Sequence, residues 1–404
     1  MRFIMIAVLI DMLAVGIIVP VLPMMVGQFV ADPAQMSSWY GVVTVSYALA
    51  QFVGAPVLGA LSDRFGRRPI LLLGFCGLAI NFFTTALATS VWMLVASRIV
   101  GGVMQANAAV ANAYVADITP PEERARRFGL LGAMFGIGFI LGPVVGGLLG
   151  GIDIRLPFFT AGVLALLNLA YGFFVLPESL APAQRRAVDW KRANPLRAFQ
   201  KLAALKGVGL LVGVLAMTAL AQFALYTVWV LYGKFRFGWG PTESGWSLFA
   251  VGMVSAVVQG GLLGRLLRHF TPQRLALMGL ASSTTAFALW GLATEGWMMY
   301  VVIFANVLGA AVAASLQGLI SSAADEKTQG ETMGAVSSLN SLAAVVAPIF
   351  AAPLLASVSH LPGSDWRIGF PMFFCAALQG VALLLAVLHF RAQRRVALQP
   401  ATSA

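Results

Sequence analysis

The stretch AVLIDMLAVGIIVPVLP, residues 7–23, is almost wholly apolar and lies inside an apolar run from Phe3 to Val30. A helix needs about 20 such residues to cross a hydrocarbon core about 30 Å thick, so the run reads as a membrane span. It holds one carboxylate, Asp11. That residue lies about nine residues, roughly 14 Å at 1.5 Å per residue, from the inner end of its helix, near mid-depth. Insertion scales put a central Asp at roughly +2.5 to +3.5 kcal/mol, so Asp11 needs a partner or a function.

The rest of the chain extends this reading. It is 59% hydrophobic and only 10% charged, against about 25% charged in soluble domains. No single water-soluble core absorbs that much apolar surface. Eleven further helix-length runs follow the first, giving spans near 3–28, 38–60, 70–89, 91–117, 127–150, 156–176, 207–233, 243–266, 274–294, 296–321, 333–356 and 368–390. These runs are continuous, whereas barrel strands would alternate with period 2 in segments of about ten residues. The expected fold class is therefore all-α integral membrane, with twelve transmembrane helices and both termini on one side.

Charge sets the orientation. The net charge of +11 would suggest a nucleic-acid partner in a soluble protein. Here 21 of the 26 Lys and Arg fall on the side of the termini; the other side holds Arg155, Lys234, Arg236 and Arg367, and Arg98 lies within a span. That asymmetry places both termini in the cytoplasm and accounts for the basic balance without nucleic acid. Only Arg2 precedes the first run and no A-x-A site follows it, so a retained span is expected rather than a cleaved signal peptide. Cys76 and Cys375 form no C-x-x-C pattern, and His269, His360 and His389 form no ligand cluster. No disulfide framework and no metal site are expected.

The loop 177–206, with seven basic and two acidic residues, divides the chain into two sets of six spans: 1–176, and 207–390 followed by a tail over 391–404. Within the loop, Leu196, Phe199, Leu202 and Leu205 recur at helical spacing with Arg197 and Lys201 between them. This is either an amphipathic helix on the anionic inner leaflet or a disordered basic linker. A constant offset of 205 residues relates the halves: Phe65 meets Phe270, Gly74 meets Gly279, Trp92 meets Trp297, Gly129 meets Gly334 and Pro143 meets Pro348. Parallel six-helix repeats with a site between them are a common transporter plan.

Few polar groups interrupt the spans. Arg98 is the other deep ionisable residue, and a link to Asp11, direct or through a polar side chain or water, is expected because an unpaired guanidinium is costly there. Gln105 and Asn112 follow Arg98 at spacings of seven; Gln222, Tyr226 and Trp229 mark the seventh span, and Asn306 and Gln317 the tenth. Singly these suit helix packing, and together they read as a wet substrate cavity. In the fifth span Gly138, Gly142, Gly146 and Gly150 form a small-residue ridge beside Gly147, and Pro143 removes a helical hydrogen bond and is expected to kink the span. The spacing around Gly136 and Gly138 does not fit a dinucleotide loop. No P-loop pattern occurs, so nothing points to ATP.

GALSDRFGRRP (59–69), SRIVGG (97–102) and GFILGPVVGG (138–147) resemble motifs of the major facilitator superfamily, the last associated with its proton-driven exporters. DMLAVGIIVPVLP (11–23), SDRFGRRPILLL (62–73) and VWVLYGKFRFGW (228–239) are similar to the tetracycline efflux proteins. The resemblance implies two pseudo-symmetric six-helix bundles and a monomer in the bacterial inner membrane. It implies proton-coupled export of small amphipathic drugs, tetracyclines first, with Asp11 and Arg98 as the coupling pair. No cofactor is implied beyond the proton gradient; the substrate would arrive as a magnesium chelate. Gly59, Asp63, Arg64, Gly66, Arg67, Arg68 and Asp117 would form a conformational latch. In it Asp63 would sit near the eleventh helix, Arg67 would pair with Asp117, Gly66 would allow a tight turn, and Arg64 and Arg68 would face solvent or headgroups.

The chain also departs from that pattern. Where such proteins carry carboxylates in the third and ninth spans, this one has Asn81 and, at or next to the position, Ser283. Neither carries a proton, and Asn81 becomes a candidate substrate contact. An exporter or uncoupled facilitator of another drug or of a metabolite is the alternative. A membrane sensor or enzyme on the same scaffold would need a soluble domain or catalytic loops, and the short loops offer neither.

Overall fold

The computed structural model of the chain describes residues 2–105, 107–185, 209–322 and 329–398, and all regular structure among them is helical. The helices are α1 (Arg2–Ile18), α2 (Leu22–Gly27), α3 (Pro33–Phe65), α4 (Arg67–Ala86), α5 (Val91–Gln105), α6 (Asn107–Asp117), α7 (Arg124–Ile152) and α8 (Leu156–Val175). They continue as α9 (Gly209–Phe237), α10 (Pro241–Val257), α11 (Leu263–His269), α12 (Pro272–Leu292), α13 (Gly296–Ala305), α14 (Val312–Ser322), α15 (Gln329–Val358) and α16 (Phe370–Leu398). The amphipathic segment expected over 195–205 lies outside the described residues.

Among the described residues, ten helical stretches are long and apolar enough to cross a membrane, and the bent pair Gly296–Ala305 and Leu308–Ser322 makes an eleventh. The shorter apolar helix Phe3–Ile18 takes the remaining place of the twelve expected. Two helix starts follow directly from sequence: Asp32 before Pro33 accepts from Gln35 N at 2.8 Å, and Thr271 before Pro272 accepts from Arg274 N at 3.3 Å. Each pairs a capping oxygen with a proline whose missing N–H is not needed there.

Several expected spans are corrected. The first, read as one helix over 3–28, breaks after Ile18. Pro20 has no N–H to continue the ladder and disfavours helix at the residue before it, so Val19 and Val21 close short turns onto Gly16 O and Ile18 O at 3.2 Å. The tenth, read as continuous over 296–321, bends by 51° at Asn306. The Gly309 N–H turns back to Asn306 O, and Ser282 Oγ donates to Asn306 Oδ1 at 2.8 Å, so both backbone and side chain favour the break. In the eighth, a π-turn over Val258–Leu262 separates α10 from α11. The last helix overruns its expected end at 390 and continues to Leu398. The fifth keeps its expected single helix, α7, with Pro143 inside it.

The chain forms two compact units: Met1–Asn194 with Val230–Gly252 and Leu355–His360, and Pro195–Trp229 with Met253–Leu354 and Leu361–Ala404. In the first unit α1 packs along α7 and α8, α3 along α5, and α4 along α5 and α8. Its core gathers Ile4, Val8, Leu71, Phe75, Val110, Tyr114 and Leu131. In the second, α12 packs on α16 and α14, around Leu215, Leu280, Leu316, Ile320 and Phe390.

The α1–α7 contact shows what the glycine ridge does. A Cβ on Gly142 would lie 2.6 Å from Gly16 Cα, and one on Gly146 would run into the carbonyl oxygen of Ile17. At Gly138 it would meet Met12 Cβ at 2.7 Å. The two backbones approach as closely as small residues permit, which is how helices associate where lipid removes the hydrophobic drive between them. On another face of α7, Gly147 lies against Pro241 and Gly245 of α10, and Thr242 Oγ1 donates to Gly147 O at 3.1 Å.

Candidate transport site

In the first unit, α1, α4 and α5 carry two small polar clusters, one at Asp11 and one at Arg98. The Asp11 carboxylate is 7% exposed and accepts from Gln105 Nε2 at 3.4 Å through Oδ2. Arg98 is 2% exposed and donates from Nη2 to Thr85 Oγ1 at 3.0 Å. Its guanidinium carbon lies 5.9 Å from the centroid of the Tyr47 ring, within cation–π range. Thr85 also donates to Asn81 O at 2.7 Å and lies 3.0 Å from Ser97 Oγ. Of the links expected between Asp11 and Arg98, the direct one is not made: no ion pair joins them among the described residues. Neutral side chains hold each charge separately, Gln105 for the acid and Thr85 and Tyr47 for the base. Asn81, a candidate substrate contact by resemblance, is 1% exposed and lies flat against Gly101 inside this unit.

The other candidates divide by environment. Asn112 is exposed and bonds back to Ala108 O of its own helix at 2.9 Å. In the second unit Gln222 hydrogen-bonds Tyr226, whose ring is half exposed. Trp229 is buried, with its ring edge-on to Trp290 at 4.9 Å. Asn306 is half buried at the break in the tenth span, beside Ser282 and buried Ser283. A Cβ on Gly309 would run into both Asn306 Oδ1 and Ser283 Oγ, so that glycine gives the pair its room. Gln317 is half buried on α14.

The motif between the second and third spans forms an ion-pair cluster. Arg67 is buried; its Nη1 meets Asp63 Oδ1 at 2.6 Å and Ser62 Oγ at 2.6 Å, while Nε meets Asp117 Oδ2 at 3.0 Å. One guanidinium thus ties the end of α3, the start of α4 and the end of α6. Gly66 turns the corner at φ +104°, a value that side-chain-bearing residues rarely adopt. Arg64 is exposed over the Phe65 ring. Arg68 is not left to solvent alone, since it donates to Phe173 O at 2.6 Å. A side chain on Gly59 would meet nothing within 4 Å. Asp63, Arg67 and Asp117 line a cavity of about 550 Å³ with Leu180, Gln184 and Arg185.

Several residues of these networks escaped sequence reasoning: Thr85, Ser97, Tyr47 and Ser62, and with them Glu178, Ser179 and Asn168. Glu178, just past α8, accepts from the backbone N–H groups of Arg67 at 2.8 Å and Arg68 at 3.3 Å, capping α4 from outside. Neighbouring Ser179 Oγ donates to Asp117 Oδ2 at 3.2 Å. The available signal was an acid standing alone at a span end before a basic loop. Asn168, fully buried in α8, donates from Nδ2 to Ala7 O at 2.9 Å, one turn before Asp11. It is the one carboxamide in its span.

Long apolar helices, a broken tenth span and charged groups buried among the helices of the first unit are the pattern of a multi-spanning membrane protein. The Major Facilitator Superfamily profile matches residues 4–348, and the chain belongs to that superfamily. It is 37% identical over 364 residues to the tetracycline resistance protein, class C, of Escherichia coli, covering 90% of this chain and 91% of the relative. Against the class D protein of Salmonella ordonez the identity is 35%, covering 94% of each. Among solved structures, the human organic anion transporter MFSD10 superposes with a TM-score of 0.69 at 23% identity, covering 95% of this chain and 98% of that one, a likeness of fold.

Proposed function

We propose that the chain is a proton-coupled antiporter that exports small amphipathic drugs, tetracyclines first, by alternating access between bundles 1–176 and 207–390. The observation that carries the proposal is the buried carboxylate Asp11, held by a neutral amide and not neutralised by Arg98. A carboxylate so placed takes up a proton when its surroundings are dry and yields it when a cation or water comes near. Two relatives above 30% identity are named for tetracycline resistance, which supports the drug class. Asp11 carries the proton, Arg98 governs when it leaves, and Asp63, Arg67 and Asp117 latch the fold between cycles. The charge asymmetry supports cytoplasmic termini and an inner-membrane location, and the protein acts as a monomer without ATP or nucleic acid.

A second reading keeps the fold and changes the substrate. Asn81 and Ser283 are neutral and buried, so these two positions offer no counter-charge to a magnesium-chelated drug. An amphipathic compound without that cation, or an endogenous metabolite, suits a protein without those two charges as well.

The test is proton movement in inverted membrane vesicles carrying a pH gradient. Tetracycline with magnesium should dissipate the gradient with the parent protein and fail to do so with Asp11→Asn. Undiminished dissipation by Asp11→Asn ends the role of Asp11. Dissipation by another drug, and none by tetracycline, moves the second reading forward.

A further inference from the structure

We infer that the strip between Asn81, Arg98 and Gln105 is an internal water site, which supplies the connection between the two charged residues that their side chains do not make directly. Four buried polar atoms there have no hydrogen-bonding partner among protein groups: Asn81 Nδ2, Asn81 Oδ1, Arg98 Nε and Gln105 Oε1. Their residues are all at least nine-tenths buried. Arg98, Gly101 and Gln105 stand three and four residues apart on α5, so they form one row on one face. A Cβ on Gly101 would lie 2.7–2.8 Å from the Cγ, Oδ1 and Nδ2 atoms of Asn81. The Asn81 amide is therefore seated on that row between the arginine and the glutamine.

The inventory of orphan groups selects the occupant. Two are acceptors, Asn81 Oδ1 and Gln105 Oε1, and two are donors, Asn81 Nδ2 and Arg98 Nε. A water molecule has two hydrogens and two lone pairs, so water meets donors and acceptors alike. An ion of either sign would leave half of the set unmatched, and an apolar occupant would leave all of it. Leaving such groups unsatisfied is costly enough that native proteins seldom do it. Gln105 already donates to Asp11 through Nε2, so water on its Oε1 extends the path Arg98–water–Gln105–Asp11. Asn81 thereby becomes a water-holding residue inside the first unit, not a group that touches the drug. The part this water plays in coupling rests on the antiport proposed above; its presence does not.

Two measurements decide. The purified protein in lipid nanodiscs, solved at a resolution that shows ordered solvent, should have density within hydrogen-bonding distance of both the Asn81 amide and Gln105 Oε1. Those atoms bonded directly to protein groups, with nothing between, would overturn the site. In inverted vesicles, Asn81→Leu should slow tetracycline-driven proton flux about tenfold, and Asn81→Ser, which keeps a donor and an acceptor, by no more than about twofold. Equilibrium drug binding should be unchanged in both. Equal losses in the two variants would assign Asn81 to packing and overturn the role of water. If the parent moves no protons with any drug, the antiport reading falls, and the density alone decides whether the water is there.

Discussion

Arg98 shows what a single residue demands of its surroundings. A guanidinium at 2% exposure needs its donors met, and Thr85 supplies the hydroxyl that meets Nη2 at 3.0 Å. Thr85→Val keeps the shape and removes that acceptor. The loss of a hydrogen bond to a charged group should destabilise the fold by about 1.5–3 kcal/mol, read as a lower unfolding midpoint in detergent. Thr85→Ser should restore the parent value, and a Val variant as stable as the parent would show that Arg98 finds its partner elsewhere. Sequence singled out Asp11 and Arg98 because charge inside an apolar run is visible without coordinates. It paired them because each was the other's only charged neighbour in depth. The structure instead uses Gln105, which the polar stripe of its span had already marked, and Thr85, a residue type too common in such helices to stand out.

At the scale of elements, the α1–α7 pair rests on backbone approach. Gly146 faces Ile17 O so closely that any side chain must push the helices apart. Gly146→Val should cost about 1–3 kcal/mol or more by overpacking, measured as loss of folded protein on heating. Gly129→Ala, on a part of the same helix where a Cβ meets nothing within 4 Å, should be neutral within about 0.5 kcal/mol. A tolerant Gly146 would mean that the ridge is not packed as described. The four-residue glycine period was legible in sequence, and so was its meaning, because small residues at that spacing have few other uses in a lipid-facing helix. The breaks were less legible. Pro20 marks one, but the bend at Asn306 has no proline and comes from hydrogen bonds to Ser282 and Gly309 that local pattern does not reveal.

At the scale of the molecule, the ion-pair cluster joins parts of the chain far apart in sequence. Glu178 caps α4 at Arg67, a separation of 111 residues, and Ser179 reaches Asp117. The end of the sixth span is thus fastened to the start of the third and the end of the fourth. Glu178→Gln leaves the size unchanged and removes the charge that favours a helix N-terminus. It should lower stability by about 0.5–2 kcal/mol, read from thermal unfolding at low and at high salt, with the difference from the parent shrinking as salt rises. A difference independent of salt would assign Glu178 to hydrogen-bond geometry alone.

The sequence by itself determined the class, the number and approximate places of the spans, the apolar faces and the two charges deep within spans, Asp11 and Arg98. Each follows from one-dimensional quantities: the length of apolar runs, the placement of Lys and Arg, and the high free energy of a charge in hydrocarbon. Only the tertiary structure decided which neutral groups hold those charges, where the tenth span breaks, and how Glu178 and Asn168 serve helices other than their own. Those are three-dimensional satisfactions of hydrogen bonds. Any Thr, Asn or Gln of the right reach could supply them, so the chain's pattern does not say which one does.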